Sequence, residues 1–337
     1  MNFSPVLTTT PAIIMSLLAA FMWGTWFISL KYLKDYPLDG FYVTLFSTSL
    51  ILVWSVGFIL DGKYLIGNIT DVVVSDPSRV WLTLLCGILY VCGMRISLYV
   101  YNVIGLSLSQ PIQSSVNVMV GTAVAAFVGG VPQGLNTFRI ILSVGFLLVA
   151  VFASLLAGRW NSQTQNSGDE PVKGRMNYST KDLWRALGLL FFASLFVPSY
   201  TFGLSYGLRS TTHPEGLAVM PFMALLATGA FIGCMLTSGI ILAVKKQWTI
   251  VLHTPFKLAK FGIFAGIFHY GGNIIHTFST AFLSSAVSWP LGVTSGLWTQ
   301  MWGLIYGEFK GAPKKAYISL GIGIVFYLLG AYFIAFN

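Results

Sequence analysis

Charged residues are scarce in this chain. Only 9% of its 337 residues are Asp, Glu, Lys or Arg, whereas a soluble domain carries about a quarter. Hydrophobic residues make up 55% of the sequence and aromatic residues 15%, more than one globular core could hide, so much of the surface must face lipid. This composition excludes a soluble globular domain and a disordered chain.

Cysteine is rare as well, and the common enzyme motifs are missing. Cys86, Cys92 and Cys234 lie inside apolar stretches rather than in spaced pairs, which excludes a disulfide scaffold and a paired-cysteine metal site. The sequence contains no Walker-type phosphate loop, no His-Glu-x-x-His and no Gly-x-Ser-x-Gly. We therefore expect no ATP-driven pump, no cofactor and no metal, and we predict that the protein is not an enzyme.

The net charge is +9, and all charged residues except Arg95 lie between the apolar runs or near their ends. Basic and aromatic residues do not alternate along a polar face, so nucleic acid is not expected as a partner. Residues 1–10 contain neither Lys nor Arg, and a cleavable signal peptide begins with a basic segment. The first apolar run is therefore predicted to stay in the protein.

Ten apolar runs are long enough to cross a bilayer, which takes about 20 residues of helix. They cover residues 11–32, 39–60, 80–102, 107–129, 137–157, 184–207, 216–243, 259–282, 285–306 and 316–336. Runs of this length are helices rather than barrel strands, because a helix satisfies its own backbone in lipid. The predicted fold class is an all-α integral membrane protein with ten transmembrane helices.

The runs divide into two sets of five around a polar stretch. At an offset of 179 residues, helix-shaping residues coincide: Gly24 with Gly203, Gly87 with Gly266, Gly93 with Gly272 and Pro111 with Pro290. An odd number of helices makes two such repeats run in opposite directions through the membrane. We predict a first five-helix repeat at 1–157, a linker at 158–182 and a second, inverted repeat at 183–337.

The basic residues between the runs predict the orientation. Fourteen of the 19 Lys and Arg residues lie on the side of the linker, and four lie on the other side. Basic residues in short loops are retained in the cytoplasm. We therefore expect a cytoplasmic linker and both termini outside, in the plasma (inner) membrane.

Polar residues within the runs are candidates for a binding site, because they are costly in lipid and usually face a bundle interior or a wet cavity. In the fourth and in the eighth run, the polar residues are three or four positions apart, which places them on one face of each helix. Interhelical hydrogen bonding is the alternative for both stripes. The candidates are Gln110, Gln113 and Asn117 in the fourth run and His269, Asn273 and His276 in the eighth.

Aromatic and further polar residues complete the predicted cavity, lined by the first, third, fourth, sixth, eighth and ninth runs. Aromatic faces suit the apolar side of a sugar or another ring, although many aromatic residues in such a chain face lipid. The aromatic candidates are Trp23, Trp26, Tyr90, Tyr200 and Trp289, and Gln300 continues the stripe of Trp289.

Arg95 is an anomaly, because it lies within the third run and no helix interior offers it an acidic partner. It could bind an anionic group of the substrate, donate to carbonyls freed near Pro111, or extend to the membrane interface. All ten carboxylates lie in loops or near helix ends. A proton-coupling group would then be His269 or His276, since histidine titrates near neutral pH, or Glu308, whose alternative role is to anchor the end of its helix.

Several tracts resemble the drug/metabolite transporter superfamily. They are Trp23-Gly24-Thr25-Trp26, Gly105-Leu106-Ser107 leading to Gly121-Thr122, and the segment from Ser288 to Gly311. The branch they resemble holds rhamnose-proton symporters, glucose/ribose porters and ureide permeases, which implies a sugar or ureide as substrate. The chain departs from the pattern at Val128-Gly129-Gly130, which lacks a counterpart of Glu308. Many relatives also place their termini in the cytoplasm, opposite to the prediction from the basic residues.

Together these observations predict a secondary active transporter. It would move a small polar metabolite across the bilayer by alternating access, with a proton as coupling ion. An exporter or carrier of amphipathic or anionic metabolites that uses Arg95 is the first alternative. A non-transporting receptor or an intramembrane enzyme is the second, and the sequence leaves assembly into a homodimer open.

Overall fold

The computed structural model describes residues 7–33, 36–104, 106–165 and 180–336, with side chains for all of these except 101–112, 162–165 and 180–183. The described residues are helical almost throughout, and an isolated bridge between Leu208 and Leu217 is the only β-type pairing among them. The all-α prediction is therefore confirmed for this part of the chain.

Fifteen α-helices occur in the described residues, joined by short connections. A 3₁₀ segment (Trp26–Tyr32) continues the first helix, and a π segment (Met235–Gly239) follows the ninth. In chain order the helices are α1 (Thr9–Thr25), α2 (Leu38–Asp61), α3 (Lys63–Ser75), α4 (Pro77–Ile104), α5 (Leu106–Phe127), α6 (Thr137–Gln165), α7 (Thr180–Phe196), α8 (Ser199–Tyr206), α9 (Val219–Cys234), α10 (Ile240–Val244), α11 (Trp248–Leu252), α12 (Phe256–Leu283), α13 (Ser285–Val293), α14 (Ser295–Ile305) and α15 (Lys314–Ala335).

Seven helical segments in the described residues are long and apolar enough to span a membrane, fewer than the ten predicted. The chain is thus a multi-pass membrane protein by helix length and composition. The remaining predicted spans, α5, α12 and the α13–α14 pair, are helical but carry polar residues, and the last is broken at Thr294. The seven segments are Thr9–Tyr32, Leu38–Asp61, Pro77–Val100, Thr137–Asn161, Trp184–Tyr206, Val219–Val244 and Lys314–Ala335.

Three helical features were not predicted from the sequence. Helix α3 follows α2 directly and buries only Leu65 and Val72. It has 13 residues, too few to cross a bilayer, so it gave no membrane-length run in the sequence. Helix α11 is a single short turn after α10. Helix α6 continues to Gln165, so the first residues of the predicted linker are helical, whereas residues 166–179 lie outside the described chain.

Contacts between distant segments define two ends of the helix bundle. At one end, the Arg139 guanidinium donates to the carbonyl of Phe336, and His213 Nε2 lies 2.9 Å from the carbonyl oxygen of Val128. At the other end, the hydroxyls of Tyr32 and Tyr306 are 2.9 Å apart. We call these the termini end and the linker end, because α1 and α15 start and finish at the former and α6 and α7 meet the linker at the latter.

Close backbone contacts hold the centre of the bundle together. Helix α4 packs on α9, and α12 packs on α2. A Cβ atom at Gly87 would lie closer than 3.0 Å to the carbonyl oxygen of Leu226, and one at Gly266 would lie equally close to that of Leu45. Glycine at these two positions lets the helix backbones touch, as small residues do in membrane proteins.

Candidate functional site

A cavity of about 160 Å³ lies at the centre of the bundle. Its volume is similar to the roughly 150 Å³ cavity that accommodates one benzene ring in another protein, so it has room for a molecule of about one ring. The six predicted runs contribute to its lining through α1 with the 3₁₀ segment, α4, α5, the α7–α8 pair, α12 and the α13–α14 pair. Nine predicted site residues line it: Trp23, Trp26, Tyr90, Gln113, Asn117, Tyr200, His269, Asn273 and Trp289.

Two hydrogen bonds connect helices across this cavity. The indole Nε1–H of Trp23 donates to Oδ1 of Asn273 over 2.8 Å, which joins α1 to α12. The hydroxyl of Tyr90 lies 2.6 Å from Nε2 of His269, which joins α4 to α12. His269 and Asn273, two of the three residues of the polar stripe predicted on the eighth run, therefore face the cavity and fix the orientation of two aromatic rings.

Three aromatic rings form a triangle around one part of the cavity. The ring centres of Trp23 and Tyr200 are 6.0 Å apart, those of Tyr200 and Trp289 are 6.1 Å apart, and those of Trp23 and Trp289 are 6.5 Å apart. Trp26 lies beside the ring of His269, with centres 5.2 Å apart. These rings offer apolar faces to a ring-shaped molecule.

Four residues of the lining hold polar atoms that have no hydrogen-bond partner among the described residues: Oδ1 of Asn117, Nδ1 of His269, Nδ2 of Asn273 and Nε1 of Trp289. A buried polar atom without a partner costs about 1–3 kcal/mol, so a molecule that reaches these enclosed atoms and pairs with them gains affinity. The asparagine and tryptophan nitrogens donate, and the Asn117 oxygen accepts. The described lining residues include no Asp, Glu, Lys or Arg.

His276 lies behind the lining rather than in it, fully buried beside the ring of Trp23 at 4.8 Å between ring centres. Its Nε2 is 3.0 Å from the carbonyl oxygen of Ser288, and its Nδ1 is 3.4 Å from the hydroxyl of Tyr200. A neutral imidazole with its proton on Nε2 satisfies both contacts, because it donates to the carbonyl and accepts from the hydroxyl. His276 is thus well placed to hold Trp23 and Tyr200 in position.

Arg95 has an acidic partner, so the expectation that it lacks one is wrong. Its Nε is 2.7 Å from Oδ1 of Asp39, and Ser238 Oγ, 2.7 Å from the same oxygen, donates to it. Asp39 is in the first turn of α2, but that turn packs inside the bundle, and the side chain is only 6% exposed. Proximity to a helix end in the sequence therefore did not mean exposure. Arg95 does not line the central cavity.

Two other predicted residues lie away from the cavity. Gln300 points to α6, where its side-chain amide donates to Ser154 Oγ. Glu308 forms an ion pair with Lys31 at the linker end, and its carbonyl accepts a hydrogen bond of 3.0 Å from Asn161. These contacts match the alternative role predicted for Glu308, an anchor at a helix end. The side chain of Gln110 lies outside the described residues.

The sequence missed several lining residues on the linker side of the cavity. Ser97 accepts a hydrogen bond of 2.6 Å from Gln113, which joins α4 to α5. Met94 and Ser97 follow Tyr90 at helical spacing on α4 and line the same face. That spacing was a usable signal, but neither residue is polar or aromatic enough to stand out in an apolar run.

No protein-family model matches this chain, and no curated protein matches it either. The resemblance to the drug/metabolite transporter superfamily therefore remains a prediction from the tracts that carry it.

Proposed function

We propose that this protein is a secondary transporter of the drug/metabolite type, which carries a small neutral polar molecule, sugar-like or ureide-like, by alternating access. The observation that carries the proposal is the central cavity. It combines aromatic faces, unpaired donors and an unpaired acceptor, and its described lining has no charged side chain. A neutral ring with hydroxyl or amide groups matches each of these features.

The corresponding helix contacts of α4 and α12 support two inverted five-helix repeats within a ten-helix bundle. The offset of 179 relates α4 to α12, and the contacts of the two helices correspond. A Cβ at Gly93 of α4 would lie 2.9 Å from the carbonyl oxygen of Ala193 in α7, and one at Gly272 of α12 would lie 3.3 Å from that of Ala19 in α1. Helices α7 and α1 are the sixth and first predicted spans, which the repeats also relate.

The hydrogen bond between Tyr90 and His269 supports the same arrangement. These two residues are 179 positions apart, so they occupy equivalent places in the two repeats. Equivalent residues touch each other only near the axis that relates the repeats. Inverted repeats of this kind build a substrate site at their interface near the middle of the membrane, and a contact between equivalent residues is expected there.

The lining also favours a cavity that faces the linker end. Its residues on α4 extend from Tyr90 toward Leu98, and those on α5 from Asn117 back to Gln113, so both helices contribute their linker-side halves. At the termini end, Ser205 donates to Ser285, and Ser285 donates to the carbonyl of Ala125. With the cytoplasmic linker that the basic residues predict, this arrangement corresponds to an inward-facing or occluded carrier in the plasma (inner) membrane.

The anion-carrier alternative loses its main support, because the guanidinium of Arg95 is engaged by Asp39 rather than by the cavity. The different-class alternative, an intramembrane enzyme or a receptor, is tested by the same experiment as the transporter. Purified protein in sealed liposomes is assayed for counterflow of labelled rhamnose, glucose, ribose, allantoin and an organic anion. Saturable counterflow of a neutral compound supports the proposal. Anion-only exchange, or chemical turnover of a compound in detergent, contradicts it.

A substitution at Trp289 tests whether the cavity is the binding site. The indole N–H of Trp289 has no partner in the described protein, so Trp289→Phe breaks no hydrogen bond, although it also removes part of a ring that packs against Gly121. We expect KM for counterflow to rise about tenfold, the equivalent of about 1.4 kcal/mol, and the unfolding temperature to fall, because the smaller ring leaves space at a buried position. Trp298→Phe is the matched control, because Trp298 packs on Phe21 outside the cavity. Equal KM values for both variants would place the binding site elsewhere.

A further inference from the structure

A buried group of three side chains connects three helical segments outside the central cavity. Arg95 Nε is 2.7 Å from Oδ1 of Asp39 and 3.1 Å from Oγ of Ser238, and the Ser238 hydroxyl donates to the same Asp39 oxygen over 2.7 Å. The side chains of Asp39 and Arg95 are 6% and 11% exposed, and Ser238 is fully buried. Burial of this degree makes the charge of each partner depend on the other.

The three residues come from both proposed repeats. Asp39 begins α2 and Arg95 lies on α4, both in the first half, whereas Ser238 lies in the π segment that interrupts the helix of the second half. Single-turn π segments within α-helices are frequent at functional sites, because they displace a side chain from the regular helical register. Here the displaced turn presents a hydroxyl to an ion pair across the repeat interface.

A second cavity gives this group a route to the linker end. It has a volume of about 310 Å³, and its lining includes Asp39, Arg95, Tyr99, Lys245 and Gln247. Lys245 and Gln247 follow α10 at the linker end. On its other side, Arg95 directly follows Met94, which lines the central cavity. The ion pair of Asp39 and Arg95 thus borders a cavity at the linker end, and Arg95 lies on the same helix as four lining residues of the candidate substrate site.

We propose that Asp39 is the proton-coupling carboxylate of this carrier, with Arg95 and Ser238 as its positioning residues. The inference rests on the proposed transport function. A proton from the aqueous side binds one Asp39 oxygen and neutralises it, which leaves the guanidinium of Arg95 without a counter-charge. An unpaired cation in a membrane interior is costly, so α4 separates from α2 and the π segment. Release of the proton restores the ion pair and the contact between the repeats.

Other ionisable groups surround Asp39 and define its electrostatic environment. Arg95 and Tyr99 face it from α4, Lys245 from the turn after α10, and Cys234 from the end of α9. Arg95 and Lys245 are the cations among them. In contrast, His269 and His276 form their contacts with a tyrosine hydroxyl and a backbone carbonyl, and the described residues give neither a carboxylate to balance an added proton.

The test uses reconstituted full-length protein and two assays with the same labelled rhamnose, glucose, ribose and allantoin. Counterflow at equal pH measures exchange, and uptake into vesicles with an inward proton gradient measures coupling, together with a trapped pH dye. For Asp39→Asn we expect counterflow within about twofold of wild type. Gradient-driven accumulation and dye-reported proton entry should fall at least about tenfold, since exchange and proton coupling depend on different interactions. Asp61→Asn, at the other buried end of α2, is the matched control and keeps its coupling.

A second variant distinguishes loss of proton coupling from a folding defect. Asp39→Asn leaves Arg95 unpaired, whereas the double variant Asp39→Asn with Arg95→Gln removes both charges and leaves none buried alone. It is expected to fold and to exchange without proton coupling. Proton-driven accumulation by either variant at the wild-type level overturns the inference, and so does equal loss of exchange and accumulation in both. Wild-type protein that exchanges none of the four compounds overturns the transport function itself.

Discussion

The two ends of the bundle are closed by contacts of different kinds. At the termini end, Arg79 is only 6% exposed and its guanidinium reaches three partners. It is 3.0 Å from Oδ2 of Asp76 and 2.5 Å from Oε1 of Glu215, and it donates to the carbonyl of Tyr206. A cation buried in this way connects the start of α4 to the segment after α8.

At the linker end the corresponding contacts are exposed. The ion pair of Lys31 and Glu308 has side chains 36% and 45% exposed. The hydrogen bond between Tyr32 and Tyr306 also lies at the surface. Exposed ion pairs contribute about 0–1 kcal/mol, so these surface contacts hold the linker end weakly, and the buried pair of Asp39 and Arg95 is the stronger contact on that side. In a carrier of the proposed kind each end opens in turn, and the surface contacts of the linker end would then cost less to break than the contacts of Arg79 at the termini end.

Arg79→Ala tests the buried contact at the termini end. The substitution leaves two carboxylates and a carbonyl without their common donor, and removal of one partner of a buried ion pair costs about 3–5 kcal/mol. Because Asp76 and Glu215 are themselves partly exposed, we expect a loss of about 1–3 kcal/mol, measured by unfolding in detergent. Lys31→Ala is the counterpart at the linker end and should cost less than about 1 kcal/mol. Similar losses in both variants would show that the ends are closed equally.

The sequence was sufficient to locate most of the helices and half of the residues that line the cavity. Each predicted run is helical in the described residues, because apolar runs in lipid have few alternatives to a helix. Nine predicted residues line one cavity, since a polar stripe with a period of 3.6 must face the bundle interior. Local spacing within one helix was enough for these predictions.

The failures are those that depend on a helix break or on a contact between distant segments. Gln300 was placed with Trp289 by extending one stripe through the ninth run, but the helix breaks at Thr294 and turns Gln300 toward α6. The partner of Arg95 was missed because Asp39 is 56 positions away, and no periodicity within one helix relates the two. The orientation, the repeats and the substrate remain predictions.

A pH series on Glu215→Gln tests whether the charge of Glu215 stabilises the termini end. A hydrogen bond from its own backbone N–H lowers the pKa of Glu215, and the nearby charge of Arg79 lowers it further. A pKa that is lowered on folding adds stability above the unfolded value of 4.5, and this stability is lost as the pH falls through the folded value. Wild type should therefore unfold at a higher temperature than Glu215→Gln at pH 7, and the difference should shrink below about pH 4. A difference that is constant with pH would show that Glu215 contributes packing rather than charge.

The smallest expected effect belongs to Tyr32→Phe at the linker end. The substitution removes a surface hydrogen bond and leaves the stacking of the ring on Phe261, whose centre is 5.1 Å away. The stability of the folded protein should change by less than about 0.5 kcal/mol. The rate of counterflow should rise about twofold, because a weaker closed end opens more often and about 0.4 kcal/mol of barrier corresponds to that factor. Tyr206→Phe, which loses its hydroxyl contact with Ser78 at the termini end, is the matched variant. If both variants accelerate counterflow equally, the linker end is not the more easily opened one, and the contrast between buried and exposed closure does not control transport.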